Sequence, residues 1–273
     1  MAVNASTEFD APPNHDAESA GAIDGTGLPG AATAPRDSRM WYSRLIGALF
    51  LAGFLTYGVG SGLVNSVVGG NGFLATVPAR QTVLILGAFL MLLNTAVDVA
   101  KGVLFYPILE RHSKRTALTY LSAVLVEVTL LAVGALCLLM IVPLAKQSAD
   151  AGTTDTGWGK TLGTLAVDAN NIAYQIAEIA LAVGAIALCA LLYRTRLVPT
   201  VVAQWGLVGY PILIAGCIAE LFGLHIGLWL SIPGGLFELA LGFWLLVKGF
   251  DAGAYGSSVP TTRAARTSRR STD

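Results

Sequence analysis

ALTYLSAVLVEVTLLAVGALCLLMIV, residues 117–142, contains a single charged side chain, Glu127. An α-helix rises about 1.5 Å per residue, so about 20 apolar residues cross the ~30 Å hydrocarbon core of a bilayer. This stretch is long enough to span a membrane and too apolar to sit alone in water. A charge at the centre of a spanning helix costs about 2.5–3.5 kcal/mol on insertion scales. Glu127 therefore calls for a polar partner or a polar purpose.

Five further runs have the same character. The spans read at 45–68, 82–106, 117–142, 166–192, 198–222 and 226–248. Pro107 and Pro143 are expected at helix ends, and Pro199 in a first helical turn, because proline lacks the backbone donor that a helix interior uses. Pro211 falls inside the fifth span and is expected to kink it. Gly223 and Gly227 bracket the short turn before the sixth, and VVGGNG at 67–72 reads as a loop. The fold class is all-α: a polytopic membrane bundle of six transmembrane helices.

Composition agrees. The 273 residues are 54% hydrophobic and 12% charged, against about 25% charged in soluble domains. Net charge is zero, so a basic field for nucleic acid is not expected. Cys137, Cys189 and Cys217 lie inside apolar runs, and His15, His112 and His225 lie outside them. Neither a disulfide framework nor a metal motif is expected from that placement. The early residues lack an apolar stretch behind a basic start, so the first apolar run, near Leu45, reads as an uncleaved signal anchor.

Basic residues set the expected orientation. Arg36, Arg39 and Arg44 precede span one; Arg111, Lys114 and Arg115 follow span two; Arg194 and Arg196 follow span four. Arg263, Arg266, Arg269 and Arg270 follow span six, while the opposite loops hold Arg80, Lys146 and Lys160. The positive-inside rule places both termini in the cytoplasm and the bundle in the cell membrane. Residues 1–40 and 251–273 read as disordered cytoplasmic tails flanking a 41–250 membrane domain. The lipid bilayer is the expected partner, with contact to anionic lipid open to the basic C-terminal tail.

Three segments carry a family resemblance. LFYPILERHSKRTALTYLSAVLVE, Leu104 to Glu127, resembles the junction of spans two and three in a bacterial six-helix membrane family. LLYRTRLVPTVVAQWGLVG, Leu191 to Gly209, is similar to its turn between spans four and five. IPGGLFELALGFWLLVKGF, Ile232 to Phe250, is similar to its last span, with Glu238, Trp244 and Lys248 the most specific part. This is the domain-of-unknown-function family numbered 4386. The resemblance implies a six-helix integral membrane protein over about residues 42–250, and brings no catalytic residues with it.

Helical spacing sorts the intramembrane polar groups into faces. Asn94, Asp98 and Lys101 share one face of span two, with Asp98 and Lys101 able to pair. Asp168, Asn171, Gln175 and Glu178 form a stripe along span four, with Tyr174 beside it. Glu127 lies on the side of Tyr120 and Gly134, and Glu238 lines up with Ser231, Gly235 and Gly242. Such stripes should face the bundle interior, because lipid satisfies none of them. Counted from the cytoplasmic helix ends, Asp98 lies at about 12 Å, Glu127 and Glu238 at about 15 Å, and Glu178 at about 21 Å. Four carboxyls from four helices are thus expected to approach one another near midplane. Glu220 falls near the far end, within reach of water.

One lysine cannot neutralise four carboxylates, so the expected state is Asp98 ionised against Lys101 with some glutamates protonated, hydrated or bound to a cation. The candidate polar core or ion/proton site is Asp98, Lys101, Glu127, Asn171, Gln175, Glu178 and Glu238. Each glutamate has a plainer reading as an interhelical hydrogen-bonding group that holds the bundle. Gly58 and Gly62 have GxxxG spacing, expected to bring helices close within the bundle or in a dimer. Trp41, Tyr42, Tyr193, Trp205, Trp229 and Trp244 fit an interfacial belt. HExxH, GxSxG and CxxC are absent from the sequence, so neither catalysis nor a cofactor is expected. The two function classes left open are a small proton- or cation-coupled transporter and a non-transporting scaffold or sensory membrane protein.

Overall fold

The computed structural model describes residues 36–70, 72–152 and 157–256. The tail expectations for 1–35 and 257–273, including the lipid contact of the C-terminal arginines, lie outside the described residues. Among the described residues seven helices follow in order: α1 Arg36–Val68, α2 Phe73–Glu110, α3 Lys114–Asp150, α4 Gly157–Thr195, α5 Thr200–Leu221, α6 Gly227–Val247 and the short α7 Ala252–Gly256. Strands are absent among the described residues. The first six are long and apolar enough to cross a membrane, giving a multi-pass membrane protein.

Each long helix packs on the next in the chain, and α6 packs back on α1, so the six close into a ring. The last seam depends on bare backbone. A Cβ on Gly47 of α1 would stand 2.5 Å from the Gly242 carbonyl oxygen of α6. Only hydrogens at these positions permit that approach.

One face of the ring collects the two ends of the described residues, 36 and 256. His112 Nε2 lies 3.1 Å from the Ala254 carbonyl oxygen, Asp251 N–H donates to Leu197 O at 2.9 Å, and Arg39 Nη1 donates to Phe250 O. Buried Ser43 ties the same region, donating to Arg39 O at 2.7 Å and accepting from Phe250 N at 3.1 Å. Residues 36–40 and 252–256, expected in the tails, are helical. Asp251 caps α7 by accepting from Ala254 N at 2.9 Å, and Arg111 lies 5.4 Å over the Tyr255 ring.

The opposite face is uneven. Helices α1–α4 run 33 to 39 residues, against 22 for α5 and 21 for α6. With one face held level, α1–α4 overshoot the α5–α6 hairpin there by roughly 20 Å. That hairpin turns through Gly223, at φ 80°, and Glu220 accepts from Gly227 N at 3.1 Å.

Three details depart from expectation. Pro107 and Pro143 lie inside α2 and α3, which continue past them. A proline removes one helical hydrogen bond, and close neighbouring helices carry the remaining turns. Helix α5 likewise runs on through Pro211 and α6 through Pro233. Helix α2 begins at Phe73 rather than 82, because a Pro78-containing turn precedes a kink at Arg80, whose φ/ψ is −118°/16°. Finally, Gly58 and Gly62 meet nothing within 4 Å; the close α1–α2 approach is instead made by Gly60 against Gly87. Gly60 lies on the α2-facing side of α1 and Gly87 on the α1-facing side of α2, whereas Gly58 and Gly62 are exposed.

Candidate functional site

Side chains from all six long helices line a central cavity of about 210 Å³. Helix α2 contributes Asn94, Asp98 and Lys101; α3 contributes Glu127; α4 contributes Tyr174 and Glu178; α6 contributes Ser231, Gly235 and Glu238. Leu213 comes from α5, and Phe50, Phe54, Tyr57 and Gly58 come from α1. The antiparallel ring sets these at staggered heights. Counted along the helices, Asp98, Glu127 and Glu238 lie nearer the face that holds residues 36 and 256, and Tyr57 and Tyr174 lie nearer the opposite face.

The α2 group is a closed network. Lys101 Nζ stands 2.7 Å from Asp98 Oδ1, and Asn94 Nδ2 donates to Asp98 Oδ2 at 2.7 Å. Thr56 of α1 donates to Asn94 Oδ1 at 3.3 Å. The Lys101 ammonium also lies 4.5 Å over the Phe50 ring, where the face of the π system attracts a cation. Asp98 and Lys101 are each 4% exposed, so the pair is shielded from solvent and held by its own partners.

The glutamates are less completely matched. Tyr210 donates its hydroxyl to Glu238 Oε1 at 2.8 Å. Glu127 is 3% exposed, and its Oε2 lacks a hydrogen-bond partner among the described residues. A buried carboxyl oxygen left unpaired is costly unless water, a proton or a ligand meets it.

Aromatic rings form another part of the wall. Tyr57 of α1 and Tyr174 of α4 stack with centroids 5.3 Å apart and planes at 19°, bridging helices that the ring order sets apart. Phe54 faces the backbone of Gly235, where a Cβ would lie 3.6 Å from its ring. Gly58 is exposed beside it.

Five of the residues picked from sequence meet here: Asp98, Lys101, Glu127, Glu178 and Glu238. Asn171 and Gln175 are not in the lining; Asn171 is exposed and Gln175 half-buried, while Asp168 is exposed. At about 100° per residue, Gln175 sits about 60° and Asp168 about 80° round from Glu178, on the side away from Leu181. Asn171 shares Glu178's direction but lies about 10 Å farther along α4. Tyr174 is rotated toward Leu181 and so enters the cavity in their place.

Sequence reasoning missed Tyr57, Tyr210, Phe50 and Phe54. A usable signal existed for the two tyrosines: both stand well inside apolar spans, away from the interface where an aromatic belt explains such residues. The phenylalanines carry no such mark.

Among the described residues, three or more His, Cys, Asp or Glu side chains placed to share one metal ion are not found. The carboxyls are distributed round the wall rather than aimed at one point. His112 and His225 lie at opposite ends of the bundle, outside the cavity.

The family model described as "Domain of unknown function (DUF4386)" matches residues 45–249. No curated protein and no solved structure matches the chain.

Proposed function

The chain belongs to the DUF4386 family, and from that premise we propose that its bundle is a small carrier that takes up a proton or a cation in the central cavity. The observation that carries this reading is the charge imbalance of the wall: four carboxyls, Asp98, Glu127, Glu178 and Glu238, against the single ammonium of Lys101. Lys101 is committed to Asp98 at 2.7 Å. The three glutamates must then be protonated, hydrated or paired with something that enters. Intramembrane carboxyls in such surroundings suit ion or proton relay.

A second reading keeps the same residues as internal cement, in a scaffold or sensory protein without flux. The Tyr210–Glu238 hydrogen bond at 2.8 Å is the kind of contact that supports it. Reconstitution in liposomes loaded with a pH-sensitive dye separates the two. The carrier reading expects flux in the wild type that falls in Glu127→Gln, Glu178→Gln and Glu238→Gln, each still folded. Flat dye traces with lowered melting temperatures in the variants favour cement.

The orientation follows from the same rule used on the sequence. Arg39, Arg44, Arg111, Lys114, Arg115, Arg194, Arg196 and Lys248 belong to the end-bearing face, against Arg80, Lys146 and Lys160 opposite. We place the end-bearing face in the cytoplasm of the cell membrane. Labelling of single cysteines at 70 and 224 by an impermeant maleimide on intact cells tests this, and protection of both sites would reverse the assignment.

A further inference from the structure

We propose that the cavity's ligand is a small organic cation, an ammonium carried on a compact or single-ring body. This rests on the cavity being a substrate site, and it names the class of substrate.

Charge is the first argument. Glu127 is 3% exposed, lines the cavity, and has an Oε2 without a partner among the described residues. Glu178 faces the same space from α4. Tyr174 partners Glu178, so the wall's unmatched acceptor is Glu127, and with a single ammonium against four carboxyls it calls for a donor with positive charge.

Size and distribution choose between cations. A space of about 210 Å³ exceeds the roughly 150 Å³ cavity that holds a benzene ring. It also lies below the ~300 Å³ at which drug-sized pockets begin. A bare metal ion wants several oxygens at one point, and the described acidic groups do not converge in that way. A body several atoms across can reach carboxyls set apart on different helices.

The rings supply the third argument. Lys101 shows how this interior holds an ammonium: a carboxylate at 2.7 Å on one side and the Phe50 ring at 4.5 Å on the other. The same two kinds of group line the rest of the cavity, with Glu127 and Glu178 for the carboxylates and Tyr57, Tyr174 and Phe54 for the rings. An entering ammonium meets there the chemistry already used once. We place entry beside Gly58, which lines the cavity, is exposed and has nothing within 4 Å of a Cβ position.

The test uses the full chain in nanodiscs with radiolabelled 2-phenylethylammonium, competed by tetramethylammonium and by the neutral 2-phenylethanol. The ammonium is expected to bind at least about tenfold more tightly than the alcohol. Glu127→Gln should weaken ammonium binding about tenfold and leave the alcohol unchanged. Gly58→Leu, built into open space and so compatible with folding, should slow or block entry. Equal affinity for ammonium and alcohol, an ammonium that does not bind, or unchanged binding in both variants overturns the proposal. Should Glu127→Gln fail to fold, the comparison of ammonium with alcohol and the Gly58→Leu variant decide. Ammonium binding without counterflow in liposomes would keep this ligand class and remove the carrier. Proton flux without ammonium binding would keep the carrier and remove this ligand class.

Discussion

Lys101 Nζ stands 2.7 Å from Asp98 Oδ1, one helical turn away on α2, with both residues only 4% exposed. Both line the cavity, yet little of either side chain reaches its space. Removing one partner of such a pair costs far more than the pair itself contributes, because it strands the other charge. Lys101→Met is therefore expected to destabilise the protein by about 3–5 kcal/mol. The double variant Asp98→Leu with Lys101→Met should recover most of that loss. Melting in detergent measures both; a Lys101→Met protein that melts like wild type contradicts the assignment of a tightly held buried pair.

Tyr210 and Glu238 join α5 to α6 through a 2.8 Å hydrogen bond. Deleting the hydroxyl in Tyr210→Phe removes one donor to a carboxyl, worth about 1–3 kcal/mol. In a cycle with Glu238→Gln the two changes should not add, with a coupling of about 0.5 kcal/mol or more. Strict additivity would show that the two side chains do not meet in the folded bundle.

The ring's seam predicts a contrast among glycines. A Cβ on Gly47 would stand 2.5 Å from Gly242 O, whereas one on Gly58 or Gly62 would meet nothing within 4 Å. Gly47→Ala should cost about 1–3 kcal/mol through overcrowding. Gly58→Ala and Gly62→Ala should be close to neutral. Size-exclusion profiles and melting curves of the three variants read this directly, and a destabilised Gly62→Ala would place a partner against the open side of α1.

His112 bridges two carbonyl oxygens, Ile108 O and Ala254 O, each at 3.1 Å. It fastens α7 to the end of α2. His112→Ala should raise hydrogen exchange in residues 252–256 by about fivefold to tenfold, matching about 1 kcal/mol of local opening. Exchange in α2 through α6 should hold steady. A uniform rise across the bundle would mean that the histidine supports the whole fold.

The six spans could be read from the sequence because lipid imposes a length and an apolar composition that each run meets separately. Their ends could not. Prolines 107 and 143 look like stops in isolation, and only the adjoining helices allow α2 and α3 to continue. Pairing by spacing worked within one helix, as with Asn94, Asp98 and Lys101, since three or four residues return to the same face. It was weaker along α4, where ten residues from Asp168 to Glu178 accumulate about 80° of drift. Contacts between helices, such as Tyr57 on Tyr174 or Tyr210 on Glu238, depend on ring order and helix rotation, which no single run encodes.

Helix α6 packs on α1 and closes the ring, though less extensively than consecutive helices pack, and Arg39 reaches the Phe250 carbonyl beside that seam. The bundle's spatial order is therefore cyclic although its covalent order is linear. A peptide joining 36 to 256 would span neighbours, and a break within the turn at 222–226 would cut no helix. Every helix pair would survive such a circular permutation. What would change is which helix meets the insertion machinery first, so the architecture separates the information for folding from the information for threading.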